Sequence, residues 1–230
     1  MKRNAIDKFL SGISKVSLAA VFNPYRDQCE LHDLPNAPQI RKENLEAALV
    51  AALKLKVRTL WIARDLGYRG GRRTGLALTD EAHLTTYSTV LDGADVRRST
   101  HGPILKERTA SVVWSMATRV KEPVFFWNAF PFHPHEAGEP MTNRCHTSAE
   151  RRATNWALLD VLQILQPQQI FTIGGDAKKC LTNLGLETVS FRHPSYGGQN
   201  QFIREVEAAY GLENEAACKT DSRTKQLRLI

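Results

Sequence analysis

The sequence predicts an α/β protein, a three-layer α/β/α sandwich around a four-stranded parallel sheet. Short apolar segments alternate with longer helical segments, a pattern typical of parallel sheets that are covered by helices on both faces. Polar residues at the ends of three of these segments are a second indication, because ligand sites of open α/β sheets lie beyond the carboxyl ends of the strands. The predicted strands cover residues 57–62, 123–127, 169–173 and 187–191.

Helical periodicity accounts for most of the chain between these strands. The clearest case is the segment after residue 38, where Ile40, Leu45 and Leu49 share one apolar stripe. Thr79 or Asp80 is positioned to cap the helix that follows the first strand. Helices are predicted over residues 6–18, 39–55, 80–91, 104–120, 148–165, 176–184 and 201–210, with loops over 22–38 and 129–147.

The length and charge of the chain indicate one domain with an anionic partner. The 230 residues are expected to form a single α/β domain over 1–212, with an N-terminal helical extension over about 1–38. A polar tail over 213–230 is expected to be mobile. Lys and Arg outnumber Asp and Glu by 31 to 24, which gives a net charge of +7 and favours nucleic acid as a partner.

The four cysteines are far apart and include no Cys-x-x-Cys pair. This spacing argues against a zinc ribbon or an iron–sulfur cluster and fits a reducing compartment. No metal site and no other cofactor are expected. No segment is long and apolar enough for a transmembrane helix, so we expect a cytoplasmic monomer without a membrane partner. The cysteines are Cys29, Cys145, Cys180 and Cys218.

A carboxylate, an amide and an imidazole stand at the ends of three predicted strands. Asp65 follows the first strand, Asn128 ends the second and His193 follows the fourth. An amide suits the edge of a nucleobase, and an imidazole can stabilise a leaving anion. A carboxylate can hold the attacking water and stabilise an oxocarbenium-like sugar. Together these groups indicate cleavage of an N-glycosidic bond.

The segments that carry these residues resemble the motifs of the uracil-DNA glycosylase superfamily, and the likeness spans roughly residues 45–210. The segment Ala63-Arg64-Asp65-Leu66-Gly67 resembles that family's first motif, whose third residue positions the water. Phe126-Trp127-Asn128 resembles the segment ending in the pyrimidine-reading asparagine. His193-Pro194-Ser195 matches the motif whose histidine contacts a base carbonyl and whose loop enters the minor groove.

The resemblance implies a monofunctional DNA glycosylase that flips a pyrimidine out of DNA and leaves an abasic site. Asp65 and His193 would be catalytic, and Asn128, Arg64, Gly67 and Leu78 would surround the base. No lysine lies at the three strand ends, so lyase chemistry through an amine nucleophile is not expected. A non-catalytic binder of modified DNA is an alternative reading of the same residues.

Two departures from the family pattern concern the size of the base pocket. Gly67 replaces a bulky tyrosine that shields the pyrimidine 5-position, and Leu78 replaces an aromatic residue that stacks on the base. The pocket is therefore expected to be enlarged, and the substrate to be uracil or a 5-modified pyrimidine. One alternative is a glycosylase dedicated to bulky hypermodified cytosine in phage DNA, with a role in antiviral defence. Another is ordinary uracil excision, with Tyr68 or Phe130 filling the gap.

Contacts with DNA are expected from two loops. Arg69, Arg72 and Arg73 lie beside glycines near the first strand end and are candidates for phosphate contact. The second loop follows His193 and carries no leucine to serve as a wedge. Either a tyrosine stacks into the duplex there, or the glycines allow close backbone approach. The residues of this loop expected to contact DNA are Ser195, Tyr196 and Gly197.

Overall fold

The computed structural model describes residues 2–212. Met1, the predicted tail over 213–230 and Cys218 lie outside the described residues. In chain order the elements are α1 (Lys2–Ile13), β1 (Val21–Phe22), α2 (Ala37–Lys54), β2 (Thr59–Ala63), α3 (Gly71–Thr74), a 3₁₀ helix (Glu81–His83), α4 (Leu84–Val90), α5 (Arg108–Ala117), β3 (Val124–Asn128), β4 (His133–Pro134), α6 (Ser148–Leu165), β5 (Gln169–Ile173), α7 (Gly175–Thr182), β6 (Val189–Phe191) and α8 (Gln199–Tyr210).

The main sheet has four strands in the order β3-β2-β5-β6, and every neighbouring pair is parallel. The predicted fold class is therefore confirmed. The central strand β2 and the edge strand β3 are buried along their whole length, as a sheet covered on both faces requires. Their register pairs Thr59 with Val124 and Ala63 with Asn128, so the two strands end level with one another.

Alternating aromatic residues on β3 attach one helical layer to each face of the sheet. The Trp127 ring lies 5.9 Å from the ring of Phe9 in α1, whereas the Phe126 ring lies 5.0 Å from that of Trp114 in α5. Because successive side chains of a strand point to opposite faces, α1 and α5 lie on opposite sides of the sheet. On the first side α1 also packs against α2 and α6, and on the second α5 packs against α8.

The N-terminal helix α1 is docked by one apolar stripe. Ile6, Phe9, Leu10 and Ile13 are all buried and recur at the spacing of one helix face. Beyond the end of the helix, the buried Asn23 amide donates hydrogen bonds to the carbonyl oxygens of Ile13, at 2.8 Å, and Val16, at 3.0 Å. These bonds satisfy carbonyl groups that the end of a helix leaves without partners.

Side-chain acceptors break two of the predicted helices. The helix predicted over 80–91 is divided into the 3₁₀ helix and α4, and Asp80 caps the first of these by accepting from His83 N. The helix predicted over 104–120 begins only at Arg108, because the backbone N–H groups of Leu105 and Glu107 donate to the carboxylates of Glu81 and Asp80. Those bonds hold the segment extended.

Two short strands occupy segments that were predicted to be loops. Val21 and Phe22 of β1 pair antiparallel with Pro134 and His133 of β4, respectively. A two-residue strand carries too little periodicity to be seen in sequence. Among residues 2–212 the structure contains no helix with the length and hydropathy needed to cross a membrane.

Candidate active site

The segments that follow β2 and β3 are joined by backbone hydrogen bonds beyond the last ladder pair. Ala129 N donates to Ala63 O at 2.9 Å, and Phe130 N donates to Arg64 O at 2.9 Å. Leu66 N then donates to Phe132 O at 3.0 Å. Because these bonds bracket Asp65 on one strand end and follow Asn128 on the other, the carboxylate and the amide are held at the same edge of the sheet.

A cavity of about 610 Å³ opens at this edge. Its volume falls within the range of about 300–1,000 Å³ that is usual for small-molecule sites. Asp65 and His193 both line it, so the structure brings together the acid and the imidazole that the sequence places far apart. The wall also includes the predicted base-pocket residues Arg64, Gly67 and Leu78.

The Asn128 side chain is buried and is not among the residues that line this cavity. Its residue is 1% exposed, and neither Oδ1 nor Nδ2 has a partner within the described part of the chain. Its register neighbour Ala63 lines the cavity wall. Burying an amide without a partner costs roughly 1–3 kcal/mol, so such groups in folded proteins call for an explanation. A ligand with a donor and an acceptor would satisfy both atoms.

Asp65 is held by two basic side chains. Its Oδ2 atom accepts hydrogen bonds from Arg64 Nε at 2.9 Å and from His146 Nδ1 at 3.2 Å. The backbone N–H of His146 contacts the same oxygen at 3.3 Å. Within residues 2–212 these contacts all use Oδ2, which leaves Oδ1 available to a ligand. Arg64 is anchored on its other side, because its Nη1 donates to Asp176 at 2.8 Å. Arg64 therefore holds Asp65, and because it also lines the cavity, its predicted place beside the base stays a prediction.

His146 forms a cationic partner for Asp65. Burial by itself lowers the pKa of the imidazole, but the hydrogen bonds to the Asp65 carboxylate and to Cys180 outweigh it and raise this pKa to about 8. The Nε2 atom lies 3.7 Å from Cys180 Sγ, and Phe130 covers the ring at a centroid distance of 5.0 Å. At neutral pH the ring therefore carries a positive charge directly beside the carboxylate.

His193 has the opposite character. Burial lowers the pKa of its imidazole, and the nearby guanidinium groups of Arg64 and Arg192 lower it further. Its Nδ1 atom accepts a hydrogen bond from Ser195 N at 3.2 Å. In the neutral ring the proton is consequently assigned to Nε2, which becomes a hydrogen-bond donor. Gly174, with φ +91°, allows the close approach of this ring, since a Cβ there would lie 3.2 Å from His193 Cβ.

The space beside Gly67 is occupied by Glu107, a residue that sequence reasoning missed. A Cβ built on Gly67 would lie 3.2 Å from Glu107 Oε1, and one on Gly70 would lie 2.2 Å from Oε2. Glu107 lines the same cavity as Asp65 and Leu78. The volume that the absent tyrosine would take is thus partly filled by a carboxyl group, and not by Tyr68 or Phe130 as the alternative reading expected. Phe130 is instead fully buried in the core.

Arg72 and Arg73 serve the fold, which corrects the expectation that they contact DNA phosphates. They are 2% and 5% exposed, respectively. Arg72 donates to Pro140 O and stacks on the Phe22 ring at 3.9 Å. Arg73 pairs with Glu81 at 3.2 Å. Arginines and glycines in sequence suggested a flexible loop, but the segment folds into the buried helix α3.

Arg69 and the loop after His193 remain at the surface. Arg69 is exposed and donates to Tyr68 Oη at 2.9 Å, with its guanidinium 5.4 Å from the Tyr68 ring centroid. Tyr196 is 99% exposed and has φ +51°, which is unfavourable for a residue with a side chain. Gly197 follows with φ +78°. Ser195 faces inward, where its Oγ lies 3.2 Å from Thr109 Oγ1.

The two residues that the sequence did not reveal, Glu107 and His146, stand just before helices. Glu107 is the N-cap residue of α5. His146 precedes Thr147, which forms a capping box with Glu150 at the start of α6. The capping pattern was the available signal for His146. Among residues 2–212 no group of three or more His, Cys, Asp or Glu side chains is arranged to hold a metal ion.

The parallel sheet and the site at its carboxyl edge define a uracil-DNA glycosylase-like fold. The structure is similar to the crystal structure of wild-type SMUG2 from Pedobacter heparinus, a member of the uracil-DNA glycosylase superfamily. The TM-score is 0.59 at 15% sequence identity, over 92% of this chain and 99% of that chain. No family model and no curated protein matches the sequence. At this identity the likeness establishes the fold.

Substitutions at two nearby arginines test whether Arg72 is a buried structural residue and Arg69 an exposed one. We expect Arg72→Ala to lower the free energy of unfolding by about 2 kcal/mol or more, because it removes buried hydrogen bonds and the packing on Phe22. The exposed Arg69→Ala should change it by no more than about 0.5 kcal/mol. Chemical denaturation measures both. Equal, small effects of the two substitutions would contradict the assignment.

The Asp65–His146 pair predicts a pH dependence of stability. The pKa of His146 is raised from 6.5 to about 8 in the folded protein, so its contribution is fully present below pH 6.5 and is lost as the pH rises through about 8. Over this window the wild-type protein should lose roughly 2 kcal/mol more than His146→Gln. Urea denaturation at a series of pH values provides the measurement, and parallel pH profiles would contradict the pairing.

Proposed function

We propose that this protein is a monofunctional DNA glycosylase that flips a pyrimidine out of DNA and hydrolyses its N-glycosidic bond. One observation carries the proposal: Asp65 and His193 line one cavity, and Ala63 on its wall pairs in register with Asn128, whose buried amide has no partner within the described part of the chain. An extruded base offers the adjacent donor and acceptor that an amide side chain pairs with. The superfamily fold of the chain supports the same reaction class.

The base would bind with its three edges against different walls. Asn128 pairs with the edge that bears N3 and the 4-substituent, and His193 Nε2 donates to the 2-carbonyl oxygen. The remaining edge, which carries the 5-position, then faces Gly67 and Glu107. Leu78 and the other apolar residues of the wall contact the face of the ring. In this pose the buried amide gains the partners that the free protein lacks.

Hydrolysis needs a water on the sugar side and stabilisation of the leaving base. Asp65 Oδ1 holds a water whose oxygen bonds to C1′ as the bond between C1′ and N1 breaks, and the proton of that water passes to the carboxylate. The electron pair of the broken bond remains on the base, where negative charge develops on the 2-oxygen. A neutral His193 donates to that oxygen without having to transfer its own proton. The negative Asp65 also stabilises the oxocarbenium-like sugar.

The absence of an amine in the cavity wall favours hydrolysis over lyase chemistry. Lyase activity requires a nucleophilic amine that forms a covalent bond to C1′. Of the described residues that line the cavity, none is a lysine. The basic residues there are arginines and His193, which do not form such adducts. The product is therefore an intact strand with an abasic site.

Contacts with the duplex are assigned to the exposed residues of the two loops. Arg69 is free to contact a phosphate, and the fully exposed Tyr196 is suited to stack where the flipped nucleotide leaves a gap. Its left-handed backbone supports a functional role, since strained residues persist where the surrounding structure imposes them. Gly197 beside it allows close approach of the backbone to DNA, and Ser195 anchors the loop.

The substrate is proposed to be uracil or a 5-modified pyrimidine. No side chain projects from Gly67, which lines the cavity of about 610 Å³ together with Glu107. This space is compatible with substituents at the 5-position, which extends the proposal to bulky hypermodified cytosine in phage DNA and to a role in antiviral defence. Base release from a panel of uracil-containing and phage-modified DNAs, identified by mass spectrometry, tells these substrates apart.

Asp65→Asn tests the reaction itself. The variant should lose roughly a hundredfold or more of the single-turnover rate, because Asp65 acts on the transition state, while its affinity for the duplex is retained. Asp95→Asn, which neutralises an exposed acid elsewhere on the surface, is the matched control and should leave the rate unchanged.

An unchanged rate in Asp65→Asn would refute the role of Asp65. Tight binding of modified duplexes by the wild-type protein, with no base released from any substrate of the panel, would instead favour the non-catalytic binder.

A further inference from the structure

A second carboxyl group faces the cavity and is not used by the proposed chemistry. Glu107 lies on the wall that carries Gly67, whereas Asp65 is held on the other side of the strand end by Arg64 and His146. Among residues 2–212 the Glu107 carboxyl group has no hydrogen-bond or ion-pair partner; the nearest charges are those of Asp80 and Arg69. Glu107 is partly exposed towards the cavity, so its carboxyl oxygens can accept hydrogen bonds from a ligand that enters there.

The backbone fixes this carboxyl group in place. Glu107 N donates to Asp80 Oδ2 at 2.5 Å, and Asp80 is itself fully buried and bonded to His83 at 2.6 Å. On the opposite side the carboxyl oxygens pack against Gly67 and Gly70, where a Cβ on either residue would crowd them. At position 107 the side chain does not cap α5, although a glutamate at a helix N-terminus could do so. It points instead into the cavity.

The chemistry of the group selects its ligand. Burial, together with the nearby Asp80 carboxylate, raises the pKa of Glu107 to about 7, while Arg69 opposes the shift. In either protonation state a carboxyl oxygen accepts a hydrogen bond. A hydroxyl group satisfies this acceptor, whereas a methyl group in the same place leaves it desolvated and unpaired. The site is thus matched to a hydrogen-bond donor on the bound base.

We propose that Glu107 is a specificity-determining residue that accepts a hydrogen bond from a hydroxyl group carried by the 5-substituent of the extruded pyrimidine. This inference rests on the proposed function, because that pose turns the 5-position towards Gly67. The exocyclic amine of cytosine is the other group on a pyrimidine that could donate a hydrogen bond to Glu107. It belongs to the edge assigned to Asn128, so the hydroxyl group is the favoured source.

The test compares single-turnover base release from duplexes that carry 5-hydroxymethyluracil, uracil, thymine or cytosine. Glu107→Leu removes the acceptor with a shorter apolar side chain, and Glu107→Gln keeps an acceptor oxygen in the same place. We expect Glu107→Leu to lower the rate ratio of 5-hydroxymethyluracil to uracil by roughly tenfold or more, with the uracil rate nearly unchanged. In Glu107→Gln the ratio should stay within about threefold of the wild-type value.

The remaining outcomes overturn the proposal. An equal loss on uracil and 5-hydroxymethyluracil would make Glu107 a general catalytic or structural residue. A change confined to the cytosine-to-uracil ratio would assign the group to the exocyclic amine. Thymine has a methyl group in place of the hydroxymethyl group and controls for the size of the 5-substituent. If the proposal holds, the rate of thymine release relative to that of 5-hydroxymethyluracil rises in Glu107→Leu.

A protein that is not a glycosylase would be recognised by a different result from one in which Glu107 has no role in specificity. If the wild-type protein releases no base from any duplex, equilibrium binding of the same four duplexes takes the place of the rates. Preferential binding of the 5-hydroxymethyluracil duplex that is lost in Glu107→Leu and kept in Glu107→Gln would still support the assignment. Equal binding of all duplexes by all proteins would overturn it. Circular dichroism and thermal unfolding establish that both variants are folded.

Discussion

The burial of the Asn128 amide without a partner is the constraint on which the site depends. Asn128 is 1% exposed at the end of β3, where Ala63 pairs with it and backbone hydrogen bonds from residues 129 and 130 continue the pairing. The unfavourable burial is present in the free protein and is relieved only when a ligand provides matching groups. Under the proposed function, a base edge that pairs with this amide gains more binding free energy than an edge that leaves the same atoms unpaired.

The two acids that line the cavity, Asp65 and Glu107, have different surroundings and are therefore suited to different roles. Asp65 follows the rigid end of β2 and is held between Arg64 and His146, both cationic at neutral pH. Glu107 has no such partners, and burial shifts its pKa towards neutrality. One carboxyl group is therefore suited to act on developing positive charge, while the other is suited to hydrogen bonding. Environment, rather than residue type, separates the two roles.

Sequence patterns were sufficient for the sheet and for the position of the site but not for its inner lining. Asp65, Asn128 and His193 could be found because each ends an apolar strand, and the ends of parallel strands share one edge. His146 and Glu107 reach the site through tertiary packing: the capping box after His146 marks the start of a helix but not the contact with Asp65, and nothing in the local sequence places Glu107 at the cavity. The burial of Arg72 and Arg73 was likewise invisible, since the residues that cover them, such as Phe22, come from distant parts of the chain.

The decisive measurement is a crystal structure of Asp65→Asn bound to a duplex that contains a single uracil. The proposed base pocket requires that the uracil is extruded into the cavity, with its N3 and 4-oxygen within about 3 Å of the Asn128 amide and its 2-oxygen beside His193 Nε2. A uracil that stays stacked in the duplex would contradict it. So would a base that enters the cavity but leaves the Asn128 amide without a partner.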